Sequence, residues 1–151
     1  MLSIAHATTG AFMAHLLPNP ALYVPLTLAS HYFQDWIPHW DCGTGLSSGK
    51  RTKRTAIMLE LVDLALSVTV IYFLFQQGEA TMQYHVWLGA LIGILPDLLE
   101  APRNFLRWEP RFLQPINRFH ARFHESIPSI PLGLFPQVVT LTAIWMLTSI
   151  G

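Results

Sequence analysis

At 151 residues the chain has room for one domain, residues 1–151. Charged residues make up 12% of it and hydrophobic residues 52%, with no net charge and a mean hydropathy of +0.38. So few charges cannot cover a small water-soluble domain, and a neutral chain offers no bulk attraction to nucleic acid, so lipid is the expected solvent.

The chain starts Met1-Leu2-Ser3-Ile4-Ala5-His6, without the basic segment of a signal peptide, so it is expected to begin in its mature form. Ile4 to Leu17 is apolar but short, and predicts a tilted or half-spanning helix that turns at Pro18-Asn19-Pro20. Ala21 to Ile37 predicts a second helix, carrying His31 and Asp35 near its end. The single cysteine, Cys42, allows no internal disulfide and is expected to take no part in chemistry. Ala56 to Gln76 is long enough to span a bilayer and is interrupted only by Glu60, Asp63 and small hydroxyl residues. Met82 to Leu95 predicts a short helix that Pro96 interrupts. Asn104 to Arg111 and Asn117 to Glu125 mix aromatic and aliphatic residues with arginine, as short helices lying on a membrane surface do. Pro131 to Ile150 carries no charge and predicts a last span. The expected fold is therefore all-α: an integral membrane bundle of four to five helices, with short interfacial helices on the cytoplasmic side.

The nine basic residues supply the orientation. Lys50, Arg51, Lys53 and Arg54 precede the Ala56 helix, and Arg103, Arg107, Arg111, Arg118 and Arg122 lie between the last two spans. Two passes separate these groups, so both fall on one side. Cytoplasmic loops carry the excess of Lys and Arg, which predicts a multi-pass protein with a cytoplasmic N-terminus. Those five loop arginines are expected to attract anionic headgroups or the phosphate of a lipid.

The same topology gathers the ionisable residues. His6, His31, Asp35, His39, Asp41, Glu60, Asp63, Asp97, Glu100, His120 and His124 all fall at the cytoplasmic end, whereas His15 and His85 fall at the other and are expected to be structural. An ionisable group in a membrane helix is costly, so it marks function by default. His31 and Asp35, four apart, share a helix face, and His120 and His124 have the spacing at which two imidazoles reach one metal. Imidazole mixed with carboxylate suits zinc first, with manganese and iron as the other candidates. The candidate ligands also outnumber the four of one tetrahedral site, which leaves room for two metals.

His6-Ala-Thr-Thr-Gly10, Ser30-His31-Tyr32-Phe33-Gln34-Asp35-Trp36-Ile37-Pro38-His39-Trp40-Asp41 and Leu95-Pro96-Asp97 together resemble a known family. These are the small bacterial inner-membrane proteins regarded as metal-dependent hydrolases, with a LexA-regulated member. That family has an early His followed by Gly, a Pro-Asp step at a helix end and a late histidine pair; His120-Ala121-Arg122-Phe123-His124 stands where the pair would be. Leu99 stands where a second acid often follows the Pro-Asp step, and the next acid is Glu100.

The resemblance implies metal-dependent hydrolysis in the bacterial inner membrane. The ligand candidates are His6, His31, Asp35, His39, Asp97, His120 and His124, holding a divalent transition metal that acidifies a water. Asp63 or Glu100 would orient a ligand histidine or act as general base. The expected substrate is an ester or phosphoester, of a lipid by the site's depth. Two other readings of the same residues are an ion or proton path and a non-catalytic structural or partner-binding membrane protein.

Overall fold

The computed structural model describes residues 1–150 as an all-helical bundle of six α-helices. They are α1 (Ser3–Leu16), α2 (Pro20–Trp36), α3 (Lys53–Ile71), α4 (Tyr84–Ala101), α5 (Gln114–His120) and α6 (Ile130–Ile150). π-helical turns extend α3 through Tyr72–Gln76 and α4 through Pro102–Leu106.

The helix starts follow from local chemistry. Asn19 accepts a hydrogen bond from the Ala21 N–H at 3.0 Å with Pro20 in the first helical position, and Thr52 accepts from the Thr55 N–H at 3.1 Å. α1 has no cap of its own; Asp63 on α3 reaches across and accepts from the Ser3 and Ile4 N–H groups at 2.5 and 3.2 Å. This satisfies two of the donors every helix start leaves open.

α1 is the centre of the bundle and packs against α2, α3, α4 and α6. Its composition explains this. Small residues (Ala5, Ala7, Thr8, Thr9, Gly10, Ala11, Ala14) are buried along it, so other helices approach its backbone. The approach to α4 is closest. A Cβ on Gly93 would lie 2.3 Å from the His6 carbonyl oxygen, and one on Gly10 would lie 2.2 Å from that of Gly89. Gly89 and Gly93, four apart, make one face of α4 flat enough for this contact.

Two helices are long and apolar enough to cross a membrane: Lys53–Gln76 and Ile130–Ile150, of 24 and 21 residues. Only 17% of each apolar window is buried inside the bundle. Their outer faces expose Met58, Leu61, Val62, Phe73, Leu132, Phe135, Trp145 and Leu147, large apolar side chains of the kind that water does not favour. The first helix is the most enclosed element.

Three boundaries differ from expectation. α4 runs through Pro96 to Ala101, so Asp97 and Glu100 stand within a helix and not after its end. Ending α4 at Pro96 would leave carbonyls unpaired in an apolar setting, which costs more than the bond a buried proline removes. No separate helix forms over Asn104–Arg111: the π-helical turn closes at Leu106, where Arg107 adopts a left-handed φ of 56°. The helix expected over Asn117–Glu125 begins earlier and stops at His120. Beyond it the chain turns to pair with the end of α2: the Glu125 N–H donates to the Asp35 carbonyl, His39 N–H to Glu125 and Ile127 N–H to His39, at 3.0, 3.0 and 2.7 Å. Backbone pairing there outbids another helical turn.

Candidate metal centre

The N-terminal end of α1, the C-terminal ends of α2 and α4, and α5 with the chain after it meet at one end of the bundle. Asp35 is at the centre. Its carboxylate lies within reach of five imidazoles: His6 at 3.0 Å, His31 at 3.3 Å, His39 at 3.7 Å, His120 at 2.9 Å and His124 at 3.5 Å. Asp97 faces three of the same rings, His120 at 3.5 Å, His31 at 3.8 Å and His6 at 4.0 Å. Asp35, His6, His31, His39 and His120 are all buried. The amino group of Met1 also contacts Asp35 Oδ1 and lies 2.9 Å from His6 Nε2. All seven expected ligands are thus brought together, with Asp41 as an eighth member 3.4 Å from His39 and 3.0 Å from His124.

Four atoms form a compact set: His31 Nε2, Asp35 Oδ2, Asp97 Oδ1 and His120 Nε2, all within 4.8 Å of one another. The separations between imidazole nitrogens and carboxylate oxygens run from 2.9 Å to 3.8 Å, and the two imidazole nitrogens are 3.5 Å apart. Ligands about 2.0–2.1 Å from a tetrahedral zinc ion are separated by roughly 3.3 Å, so the set has the dimensions of a first coordination shell.

The rings are aimed by their other nitrogens. His31 donates its Nδ1–H to the Gly93 carbonyl at 2.8 Å, and His39 donates its own to the Ile37 carbonyl at 2.8 Å. In the neutral form each then presents an Nε2 lone pair to the carboxylates. A lone pair facing carboxylate oxygens is repulsive in a buried site, and a cation between them removes the repulsion. The Gly93 contact also explains why α1, α2 and α4 must meet closely: the same glycine that lets α1 approach offers its carbonyl to His31. On the other side of the centre, Glu100 Oε2 lies 3.6 Å from His120 Nδ1, and Arg103 pairs with Glu100.

Asp63 sits elsewhere. It groups with Cys42 and Glu60, and its carboxylate is engaged by the start of α1. Glu60 accepts from the Ser3 hydroxyl at 2.6 Å. Both acids therefore hold the helix that carries His6.

In the loop segments, the carboxylate–imidazole contacts move the titrations. Burial opposes charge on His124, but hydrogen bonding to Asp35 and Asp41 outweighs it and pushes its pKa up to about 10. Burial likewise opposes charge on Asp41, yet the hydrogen bond from His124 holds it well below the usual carboxylate range.

The segment carrying His39 and Asp41 is fixed from α6. The Trp40 N–H donates to Gly133 at 3.2 Å, and a Cβ on Gly133 would lie 2.3 Å from that nitrogen. Gln137, buried on α6, donates to the Trp40 carbonyl at 2.7 Å and accepts from the Leu2 N–H at 2.8 Å.

A cavity of about 530 Å³ opens over the centre, lined by Asp41, Asp97, Glu100 and His124 and by the cations Arg51, Lys53 and Arg103. It shares Glu60, Leu98, Ala101 and Phe105 with an apolar groove of about 360 Å³ between α3 and α4, where Ile57, Leu61, Pro102 and Leu106 complete the wall. Of the five loop arginines, Arg103 is the one on this cavity. No family model, curated protein or solved structure matches the chain.

Proposed function

We propose that this chain is a membrane-embedded, metal-dependent hydrolase acting on an ester or phosphoester of a lipid. The observation that carries the reading is the four-atom set of His31, Asp35, Asp97 and His120, at first-shell separations and with His31 held by a backbone carbonyl. The set suits zinc first, or manganese or iron. When bound, such an ion supplies Lewis acidity and a water acidic enough to be a nucleophile near neutral pH.

The protein's own groups do the rest. Asp35 gathers the imidazoles, and His31 is oriented by Gly93. Glu100 sets the ring of His120 from its Nδ1 side. Asp63 holds the start of α1 and so the position of His6. Arg51, Lys53 and Arg103 place positive charge where a phosphate enters the cavity. Leu98, Ala101 and Phe105 continue from that cavity into the apolar groove, which suits an acyl chain. Hydrolysis adds the hydroxyl of water to the acyl or phosphoryl group and its proton to the departing alcohol. Conduction of ions fits less well, because the far half of the bundle is closed by Ala7, Ala11, Ile71, Phe75, Val86, Ala90 and Ile144.

In this reading the protein is multi-pass in the bacterial inner membrane, with its N-terminus and its site at the cytoplasmic face. That placement rests on the basic loops and on the two candidate spans. Support also comes from the resemblance of His6 to Gly10, Ser30 to Asp41 and Leu95 to Asp97 to the membrane metal-dependent hydrolases. Metal analysis of the purified protein tests the proposal, together with release of fatty acid or phosphate from phospholipid vesicles. The wild type should carry a transition metal, and His31→Ala with Asp97→Ala should lose it along with hydrolysis. A metal-free wild type, or a double variant with unchanged metal content, would sink the proposal.

A further inference from the structure

We propose that the centre takes two divalent metal ions, the second held by His39, Asp41 and His124, with the Asp35 carboxylate shared between the two. This rests on the metal-dependent reading above.

The first set uses one oxygen of Asp35 together with His31, Asp97 and His120. That leaves a second group of the same chemistry beside it. His39 Nε2 lies 3.7 Å from Asp35 Oδ1 and 3.4 Å from Asp41 Oδ2, and His124 Nε2 lies 3.0 Å from Asp41 Oδ2. His124 also turns Nδ1 toward Asp35 Oδ2 at 3.5 Å. Asp35, His39 and His124 offer ligand atoms within 4.8 Å of one another. These separations match those of the first set.

His39 is the independent sign that a ligand belongs there. Its side chain is fully buried, at 0% exposure, and its Nε2 has no hydrogen-bond partner. With Nδ1–H bonded to Ile37, the neutral ring leaves this nitrogen a lone pair. It points between two carboxylates, neither of which can donate to it when ionised. A buried acceptor facing two anions is unfavourable, and an ion bound to all three groups reverses the sign of the interaction.

The group is also built, not merely adjacent. His39 sits in backbone pairing with Glu125 and Ile127, and Trp40 is held from Gly133 and Gln137. Neither side of the site depends on a free loop. Asp41 and His124 line the cavity along with Asp97 from the first set. Two ions would therefore face one substrate, an arrangement that stabilises the attacking and leaving oxygens of a displacement together.

The test is metal stoichiometry of the full chain in detergent, stripped and then reloaded with Zn2+ or Mn2+. The wild type should hold about two ions per chain and His39→Ala about one, with the helical circular dichroism unchanged. In the Mn2+ form, electron paramagnetic resonance should show a spin-coupled pair in the wild type and an isolated ion in the variant. If His39→Ala does not fold, Asp41→Asn, nearly equal in shape, takes its place. One ion in the wild type, two in both proteins, or two without spin coupling would each overturn the shared second site and leave the first in place. No ion at all would overturn the first site as well.

Discussion

The two ends of the bundle are built on opposite terms. At the far end, Ala7, Ala11, Ile71, Phe75, Val86, Ala90 and Ile144 pack together without a charge. At the near end, α1, α2 with the segment after it, and α5 bury His6, His31, Asp35, His39, Asp41 and His120. The far end is satisfied by dispersion contacts and close helix approach. The near end buries carboxylates and imidazole lone pairs, which cost several kcal/mol each unless something of opposite charge joins them. The difference teaches a division of labour: one half holds the helices together, and the other gathers groups that could hold a metal ion.

The glycine contact between α1 and α4 serves both ends, so breaking it should have the largest effect. Gly93→Val places side-chain atoms against the His6 backbone, where nothing flexible can yield. We expect a loss of about 3 kcal/mol or more, with a collapse of metal content. A folded, metal-replete Gly93→Val protein in a thermal unfolding assay would contradict this link between the ends.

Next in size is a change confined to the near end. Glu100→Gln keeps the shape beside His120 but removes the charge 3.6 Å from its Nδ1. Metal affinity should fall about 10- to 100-fold while the unfolding temperature stays close to the wild type. Competition with a chelator measures the first quantity, and an unchanged affinity would remove Glu100 from the site.

A smaller effect should follow from pH. Below about pH 10, His124 carries a proton that an incoming ion must displace, whereas Asp41 is already ionised. Affinity should therefore rise with pH, by at least about tenfold per unit between pH 6 and pH 8. A flat affinity profile over that range would show that His124 is not a ligand.

The smallest effect sharpens the contrast from the other side. Ile144→Ala at the far end should cost about 1–2 kcal/mol if, as proposed, the bundle sits in lipid and its unfolded helices stay there. Metal content should not change. If it does, the two ends are not separable.

Some of this was legible in the residues taken in order. Charge scarcity pointed to helices facing lipid, and the one-sided Lys and Arg placed every expected ligand at one end of the bundle. The His31 to Asp41 cluster declared itself by density. The contribution of Asp41 to the centre was not chosen from spacing, although it stands in the same cluster. The spacing of His120 and His124 suggested one helical face, but α5 stops at His120 and pairing with α2 brings His124 round by another path. Pro96 read as an interruption because a local rule cannot count the cost of ending a helix inside the bundle. Gly89 and Gly93 did carry a readable signal, two small residues four apart, and it marks the closest helix contact in the protein.

By itself the sequence determined an all-helical, apolar chain, the helix count to within one, and the end of the bundle where the ionisable groups gather, because hydropathy and charge act residue by residue. Only the tertiary structure decided that Asp35 is the centre, that Asp63 caps α1 and that His39 is left without a partner. Those facts depend on which helix ends meet and how closely, and that is set by the small residues of α1 and α4 packing backbone to backbone.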